Sequence, residues 1–463
     1  MSKNYQTRAA RARRGTGRAT PKNQTKAPTR ATTPPEAGDE GLPEFALPES
    51  VTVAMANLAE EAREGLLALA VGTGLQVMEA IMEEDVVALA GPKGKWNPER
   101  VATRHGTDQG QVTLGGRRMP IRRPRVRSAD STEELAVASY EHFSSTEVLG
   151  KMALERMVAK LSTRRYHAGL EPVGAGVQER ARSTSKSSVS RRFVAATEKA
   201  LSELMAGDLS GLDLVAVMID GVYFAEHLCV VALGIDIQGH KWPLGVVEGS
   251  TENSTVVSDL LAGLRDRGLD TARPTLVVID GAKALASAVR AVFDHPVIQR
   301  CQLHKLRNVQ ARLPDRLAAT VGAKMRAAYQ DPDPLVAEAA LTALARDLER
   351  SHPGASGSLR EGLTETLTIA RLGVPPTLAR TLRSTNSIES MIEICRDHAA
   401  NVKRWRNGQM ALRWCAAGMA EAKKQFRRVN GFMHLPALRA ALDAHVGVAD
   451  TPGTYDHSEE MAA

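Results

Sequence analysis

The sequence predicts an α/β fold: a mixed β-sheet that is interrupted by an all-helical segment and preceded by a mainly helical region. Three observations predict it. Short Val- and Ile-rich runs alternate with amphipathic helical patterns over residues 212–310. Residues 311–383 are rich in Ala and Leu, with helical spacing broken only at Pro and Gly. Long helical patterns also cover residues 46–95 and 146–206, before the first strand of the sheet.

Composition and charge narrow the class of protein. The chain has 463 residues, enough for two or three domains, and its formal net charge of +7 favours a polyanionic partner. No apolar stretch approaches the roughly 20 residues of a membrane span, and no secretory signal opens the chain. The cysteines are too far apart in sequence to predict a disulfide framework. A soluble protein of a reducing cytoplasm, with no membrane partner, is expected. The four cysteines are Cys229, Cys301, Cys395 and Cys415.

The first residues form a basic arm. Residues 1–45 carry many Lys and Arg residues before the first acid, Glu36, among Ala, Thr, Gly and Pro. Such a composition buries too little apolar surface to order the chain. We therefore predict a disordered arm, which either screens DNA phosphates or remains a solvated tail.

A ribbon rich in arginine follows the first long helix. The segment "QVTLGGRRMPIRRPRVRS" (111–128) predicts two strands joined at Gly-Gly, and Pro120 and Pro124 indicate an edge or extended ribbon. Guanidinium groups bind phosphate through paired hydrogen bonds, so DNA contact is one interpretation and a solvated edge strand the other. The candidate DNA-binding residues are Arg117, Arg118, Arg122, Arg123, Arg125 and Arg127.

A second candidate DNA-binding element begins near residue 183. The segment "STSKSSVSRRF" (183–193) places small polar and basic residues at the start of a helix, as in a helix-turn-helix recognition helix. Ser187, Ser188, Arg191 and Arg192 would face the groove. Serine is also simply a good helix cap, so this signal alone is weak.

Two aspartates end two similar apolar runs. "VAVMIDG" (215–221) ends at Asp220 and "TLVVIDG" (275–281) at Asp280. The surrounding order of strand–strand–strand–helix–strand–helix–strand–helix is that of an RNase-H-like domain. In that topology the first strand is central and the fourth lies parallel beside it, because a helical crossover returns the chain next to its start. The two carboxylates should therefore meet across one gap.

Two carboxylates that lie this close repel each other, and a bound divalent cation neutralises the repulsion. Mg²⁺ prefers carboxylate oxygens and water, and a pair of such ions can assist phosphodiester chemistry, so two Mg²⁺ ions are expected, with Mn²⁺ as a substitute. The alternative for each aspartate is ordinary turn chemistry, because Asp-Gly is a common turn signal after a strand.

Three further segments resemble one known family. "CQLHKLRNV" (301–309) resembles the Cys-x2-His-Lys-x-Arg-Asn motif of the mutator-type bacterial insertion-sequence transposases. "GSTENSTVVSDLLAGLRDRGL" is similar to a segment that this family has between its two aspartates, and "RSTNSIES" (383–390) matches its Thr-Asn-x-Ile-Glu segment. The family consists of DDE recombinases whose RNase-H-like core is interrupted by helices before a catalytic glutamate.

The resemblance implies a catalytic set and a domain order. Asp220, Asp280 and Glu389 would be the catalytic, metal-binding triad, and His304 would lie beside it and orient a phosphate or an acid. Lys305 and Arg307 are further candidate DNA contacts. Cys301 and His304 are not read as half of a zinc site, because no second pair with metal spacing follows. The predicted order is an arm (1–45), a DNA-binding region (46–208), the first part of the core (209–310), a helical insertion (311–383), the last core helix with the glutamate (384–430) and a C-terminal tail (431–463).

The third acid has rivals. Asn386 and Glu389 are spaced as a capping box, which is a purely structural role for Glu389. Glu393 lies one helical turn further on, and Glu248 and Glu252 lie in a loop that could reach the site. The resemblance favours Glu389. Further along, Lys403, Arg404 and Arg406 are either phosphate contacts or a solvated helix end.

The resulting hypothesis is a transposase that binds the terminal inverted repeats of an insertion sequence. It would cleave a strand and join the freed 3′ end to target DNA. Its partners would be double-stranded DNA, at the element ends and the target, and further copies of itself in a dimer or larger assembly, because two ends must be held together. The alternatives are a DNA-binding regulator that has lost catalysis, or a structure-selective nuclease with the same fold.

Overall fold

The structure, a computed structural model, describes residues 49–95, 100–129, 133–249 and 253–449. The predicted basic arm (1–45), Glu252 and the last part of the predicted tail (450–463) lie outside these residues. Residues up to Glu60 and residues from Glu61 onward form two separate units. All contacts given below lie within the second unit.

The described part of the chain begins with helix α1 (Glu49–Ala90), which confirms the predicted helical pattern. Within residues 62–90 a window of 18 residues has a mean hydropathy of 1.6, so by length and composition this helix could cross a membrane. The prediction that no apolar stretch approaches that length was wrong here, because residues 65–78 contain no charge. A single helix of this kind is weak evidence for a membrane span, because helices of soluble proteins meet the same criteria.

The predicted arginine-rich ribbon is present. Strands β1 and β2 pair antiparallel around a turn at Gly115 and Gly116, and β2 adds a short third strand near Val126. One face of the ribbon packs on α1 through Val112, Met119 and Ile121. The elements of this region are β1 (Ala102–Leu114), β2 (Arg117–Ser128), β3 (Glu134–Leu135), α2 (Ala138–Ser144), α3 (Glu147–Val158), a 3₁₀ turn (Tyr166–Gly169), α4 (Ala175–Arg180) and α5 (Lys186–Ala206).

A five-stranded mixed sheet forms the centre of the chain, in the order β6-β5-β4-β7-β8. The first three strands are antiparallel, while β7 is parallel to both β4 and β8. This is the predicted topology, with the first strand central and the fourth beside it. Its elements are β4 (Leu214–Phe224), β5 (His227–Asp236), β6 (Lys241–Gly249), α6 (Ser254–Asp266), β7 (Thr275–Ile279), α7 (Lys283–Val292) and β8 (Pro296–Arg300).

The two Asp-Gly pairs differ in structure. Asp280 and Gly281 follow the end of β7, and the φ of +109° at Gly281 is a backbone conformation that favours glycine. Asp220 does not end a strand, contrary to the prediction. Strand β4 continues to Phe224, because β5 pairs with it over that whole stretch. Asp280 therefore lies in a loop, whereas Asp220 lies inside a strand.

A group of helices follows the sheet and has its own apolar core, which includes Val309, Met325, Leu341 and Leu359. These helices coincide with the segment whose spacing was helical in the sequence. They are α8 (Gln302–Gln310), α9 (Asp315–Ala328), α10 (Pro334–Glu349), α11 (Pro353–Arg360), a 3₁₀ turn (Thr364–Leu367), α12 (Thr368–Arg371) and α13 (Pro376–Leu382).

The last helices return to the sheet. Ile388 and Met391 of α14 share a buried core with Met218 and Val222 of β4. The predicted tail (431–463) differs from the structure over its first half, because it forms a helix whose Leu435 is fully buried in that same core. These elements are α14 (Asn386–His398), α15 (Gly408–Gln425), a 3₁₀ turn (Phe432–His434) and α16 (Leu435–Ala449).

Candidate active site

Two acids lie side by side at one edge of the sheet. Ile219 of β4 pairs in parallel register with Ile279 of β7. Asp220 and Asp280 are the next residues along the two strands, which run about 4.8 Å apart. Asp220 has the same parity along β4 as Met218 and Val222, so its side chain points to the face where α14 packs. The topology therefore brings the two carboxylates together, as predicted.

The third acid is at the start of α14. The Glu389 amide donates to the Thr385 carbonyl at 2.9 Å, and the Thr385 hydroxyl donates to the Glu389 carboxylate at 2.6 Å. Asp220 experiences the charges of both Asp280 and Glu389. The three residues predicted as a triad thus form one cluster.

Three further residues lie next to Glu389: Cys301, His304 and Thr385. Cys301 is the N-cap of α8, and its buried sulfur lies 3.5 Å from the His304 amide and 3.4 Å from the Thr385 hydroxyl. His304 Nδ1 is 3.3 Å from that hydroxyl, and His304 Nε2 is 3.8 Å from the Glu389 carboxylate. His304 is therefore beside the acids, where the family resemblance implied it would be.

Burial and charge shift the pKa values of this cluster. Burial, with smaller contributions from the carboxylates of Asp280 and Glu389, raises the pKa of Asp220 to about 6 against the opposing effects of the Gly221 amide and His304. The hydrogen bond to Cys301 raises the pKa of His304 to about 9, with help from Glu389 and Asp220. His304 is therefore a cation at neutral pH.

The Cys301 thiol shows the reverse effect. Burial raises its pKa, but hydrogen bonds from His304 and Thr385 outweigh burial, so the pKa is lowered.

Glu389 is not part of the expected capping box. The N-cap of α14 is Thr385 rather than Asn386, which places Glu389 one position later than a capping-box glutamate. The Thr385 side chain turns to Cys301 and Glu389 and makes no cap hydrogen bond. Thr385 is a site residue that sequence reasoning missed. Its only signal was its position in the Thr-Asn-x-Ile-Glu segment.

The rival acids lie elsewhere. Glu393 is exposed and lines a shallow surface cleft with Arg396 and Asp397. Glu248 is 3.1 Å from His227 and packs against Gly408, where a Cβ would meet its carboxylate at 2.2 Å. Glu252 lies outside the described residues. Among the described residues, no side-chain hydrogen bond or ion pair joins Glu393 or Glu248 to Glu389 or His304.

The cluster includes a possible metal-ligand group that spacing did not reveal. One ligand atom each from Cys301, His304 and Glu389 lies within 4.8 Å of the others. Sequence spacing shows only the pair of Cys301 and His304. The third ligand atom comes from Glu389 on α14, which is distant in sequence. The half-buried aspartates Asp220 and Asp280 offer the oxygen ligands that Mg²⁺ prefers.

Two of the predicted DNA-binding cations are buried. The Arg117 side chain donates to Gln178 and to the carbonyls of Gly115 and Glu171. Lys305 donates to the carbonyls of Ser358 and Glu361, and burial lowers its pKa to about 8. Both cations hold main-chain carbonyls, so neither is accessible to DNA.

The other candidate DNA-binding arginines of the ribbon differ in their exposure. Arg122 is exposed, with one hydrogen bond to Thr107. Arg118 is half-buried and donates to the Ser144 carbonyl at 2.5 Å. Arg123, Arg125 and Arg127 are half-buried, and Glu134 pairs with the first two.

The candidates near α5 and α8 are more accessible. Ser187 and Arg191 are exposed in the first two turns of α5, and Arg307 is exposed on α8. Arg192 donates to the Ser183 carbonyl at 2.6 Å and is half-buried. Ser185 caps α5 by accepting from the Ser188 amide at 3.3 Å, so the structural role of these serines is present.

A half-buried acid cluster with an adjacent imidazolium defines a candidate enzyme active site. Comparisons with known proteins identify the family. The model of the mutator family of transposases matches residues 49–429, and the chain belongs to that family.

Named relatives agree with this assignment. The chain is 28% identical over 366 residues to the transposase of insertion sequence element ISRM5 from Rhizobium meliloti, a match that covers 79% of this chain and 89% of the relative. It is 30% identical over 249 residues to the transposase of IS6120 from Mycolicibacterium smegmatis, covering 52% and 76%. It is 25% identical over 329 residues to the transposase of IS256 from Staphylococcus aureus, covering 69% and 80%.

Proposed function

We propose that this protein is an insertion-sequence transposase that cuts and joins DNA strands through Asp220, Asp280 and Glu389. The observation that carries the proposal is the parallel register of Ile219 with Ile279, which puts two acids side by side on the face that α14 supplies with Glu389. We also propose that the five-stranded sheet is an RNase-H-like core and that the helices of 311–383 are an insertion in it.

The donor set fits divalent metal ions. Asp220 pays a burial cost as a carboxylate, and neighbouring acids increase that cost, which a bound cation relieves. Asp220, Asp280 and Glu389 would hold Mg²⁺, for which Mn²⁺ could substitute. When bound, two such ions supply charge stabilisation at the attacking and leaving oxygens of a phosphodiester.

The chain's own residues do the positioning. Thr385 fixes the Glu389 carboxylate by its hydroxyl, and His304 presents a positive charge 3.8 Å from it. That imidazolium would orient a DNA phosphate at the edge of the acid cluster. The exposed Arg122, Ser187, Arg191 and Arg307 remain the candidate DNA contacts, and phosphate contacts of this kind position a duplex without reading its sequence. We propose that the protein acts on the two DNA ends as a dimer or larger assembly.

A cleavage and joining assay tests the proposal. The substrate is DNA that carries the gene's own flanks, with Mg²⁺ or Mn²⁺, and the variants are Glu389→Gln and Glu393→Gln. We expect wild type and Glu393→Gln to nick and join, and Glu389→Gln to do neither while it still binds. If only Glu393→Gln is inactive, the third acid is misassigned. Wild-type binding without cutting would support the catalytically inactive regulator, and cutting without joining would support the nuclease.

A further inference from the structure

A large groove lies beside the candidate active site and takes no part in the chemistry described above. Its volume is about 1090 Å³. Three parts of the chain form its walls: the face of α5 at Ser190 and Val194, the turn between β4 and β5 at Glu226, and the segment 401–407 that joins α14 to α15. We call it the aromatic groove.

One wall of the aromatic groove carries unpaired positive charge. Lys403, Arg404 and Arg406 are exposed, and none forms an ion pair within the ranges that the structure describes. Arg413 lines the groove as well, but it is paired, with a hydrogen bond to Thr197 at 3.1 Å and an ion pair to Glu198 at 4.0 Å. Cations that crowd together without counter-ions favour an anion, and a chain of phosphates supplies several at once.

Trp405 gives the groove an aromatic surface. It packs against Phe224, with ring centroids 4.9 Å apart, and against Trp414 at 6.4 Å. Phe193 supports Trp414 from α5 at 4.6 Å. The ring of Trp405 is therefore held rigidly, and it lines the groove between the cations on either side of it in sequence. Alternating aromatic and basic side chains are the pattern by which proteins bind single-stranded nucleic acid, with bases stacked on the rings.

The groove is close enough to the acids for one DNA strand to reach both. Phe224 is four residues beyond Asp220 on β4, about 13 Å at the rise of a strand. The segment 401–407 follows the helix that carries Glu389. The volume of the groove is near the upper end of small-ligand pockets, so it fits a few nucleotides and excludes a duplex.

We propose that the aromatic groove binds a short unpaired stretch of the DNA strand next to the phosphate at the acid cluster, with a base stacked on Trp405. This inference rests on the proposed function, because it assumes that the acids act on DNA. It adds a single-strand site to an enzyme whose other predicted contacts are with double-stranded DNA.

The test uses the full-length protein and two fluorescent probes, an oligothymidylate and the duplex made from it with oligoadenylate. The variants are Trp405→Leu, Trp405→Phe and the double variant Arg404→Gln/Arg406→Gln. The control is Arg346→Gln/Arg350→Gln, which removes two exposed arginines from the helical segment at 334–350. Thermal unfolding checks that each variant is folded.

We expect wild type to bind the single strand more tightly than the duplex. Trp405→Leu should weaken single-strand binding about tenfold, while Trp405→Phe retains most of it, because stacking on one ring is worth about that factor. The groove double variant should also weaken binding and flatten its salt dependence, whereas the control should not. Quenching of tryptophan fluorescence by the oligothymidylate should be smaller in Trp405→Phe.

Equal losses in the groove and control double variants, or preference of wild type for the duplex, would overturn the proposal. So would unchanged binding by a folded Trp405→Leu. Glu389→Gln separates the two proposals, because it should lose cleavage and keep single-strand binding. If wild type cuts no DNA but the groove variants behave as expected, the transposase mechanism fails and the groove stands.

Discussion

The hydroxyl of Thr385 donates to the carboxylate of Glu389 at 2.6 Å, and the same hydroxyl lies 3.4 Å from the sulfur of Cys301. This contact joins the last catalytic candidate to the helix that carries His304. It holds the Glu389 carboxylate, whose charge acts on Asp220, so the acid cluster depends on a residue with no charge of its own.

Removal of that hydroxyl should reduce activity without unfolding the protein. Thr385→Val keeps the shape of the side chain and deletes the hydrogen bond, and the loss of such a supporting contact typically costs 10- to 100-fold in activity or metal affinity, so about that loss is expected. Thr385→Ser should retain most activity. The measurement is the rate of strand cleavage against Mg²⁺ concentration. Equal rates for Thr385→Val and wild type at every Mg²⁺ concentration would contradict a positioning role.

Asp220→Asn should stabilise the metal-free protein at neutral pH. The folded pKa of about 6 is above the ordinary value of 3.8, so the folded state holds a proton that the unfolded state releases. Stability from this group is therefore present at low pH and lost as pH rises from about 4 to about 6. Above pH 6 the variant should be more stable than wild type by up to about 3 kcal/mol. Urea unfolding at pH 4.5 and 7.5 measures this, with Asp259→Asn, an exposed helix residue, as the control.

Divalent metal should have the opposite effect on the same pair of proteins. Because a ligand that binds only the folded state raises its stability, Mg²⁺ or Mn²⁺ should raise the unfolding temperature of wild type. The rise should be smaller in Asp220→Asn, which lacks one carboxylate of the cluster. Thermal unfolding with and without metal measures it. Equal shifts in both proteins would place the metal elsewhere.

His304→Gln should destabilise the protein in a pH-dependent way. The folded pKa of about 9 exceeds the ordinary 6.5, so the stability that His304 contributes is fully present below pH 6.5 and is lost as pH rises through 9. The difference from wild type should reach up to about 3 kcal/mol near pH 6 and close above pH 9.5. Urea unfolding across this range checks it, with the exposed His167→Gln as control. A gap that widens with pH would show that the imidazole is neutral.

Substitution of Arg117 should affect the stability of the protein, whereas substitution of Arg122 should affect DNA binding. Arg117 makes hydrogen bonds to Gln178 and two carbonyls, so Arg117→Gln should lower the free energy of unfolding by about 2–4 kcal/mol. Arg122→Gln removes an exposed charge and should leave stability unchanged while it weakens DNA binding and its salt dependence. Chemical denaturation and a DNA titration at two salt concentrations measure both. Reversed effects would refute this assignment of the two arginines.

The sheet and the acid pair could be predicted from the sequence because they depend on local pattern. Val- and Ile-rich runs predict the strands, and helical spacing predicts the crossover helices. Because such a crossover returns the chain next to its first strand, the sequence also predicts Asp280 beside Asp220. Glu389 needed the family resemblance, since a helix start offers a structural role for any glutamate. For the sheet and the acid pair, the structure agrees with the prediction because the local preferences of the residues and the chain topology favour the same arrangement.

The remaining features depend on contacts made far along the chain. Thr385 stands at the N-cap position of α14 in place of Asn386, but its hydroxyl contacts Cys301 and Glu389 instead of the helix amides. The charge of Arg117 or Lys305 does not reveal the carbonyls that each one binds. The continuation of β4 past Asp220 follows from pairing with β5 and overrides the turn preference of Asp-Gly.

The position of Glu389 behind the helical segment also governs when the site can exist during synthesis. Asp220 and Asp280 leave the ribosome together with their strands, but the third carboxylate follows only after α8 through α13. The core beneath it also needs Leu435 and Leu442, near the end of the described chain. A nascent or prematurely terminated chain can therefore present its N-terminal arginines to DNA while its acid cluster is still incomplete. Any activity that requires Glu389 is delayed until α14 and the helix that carries Leu435 and Leu442 have been translated.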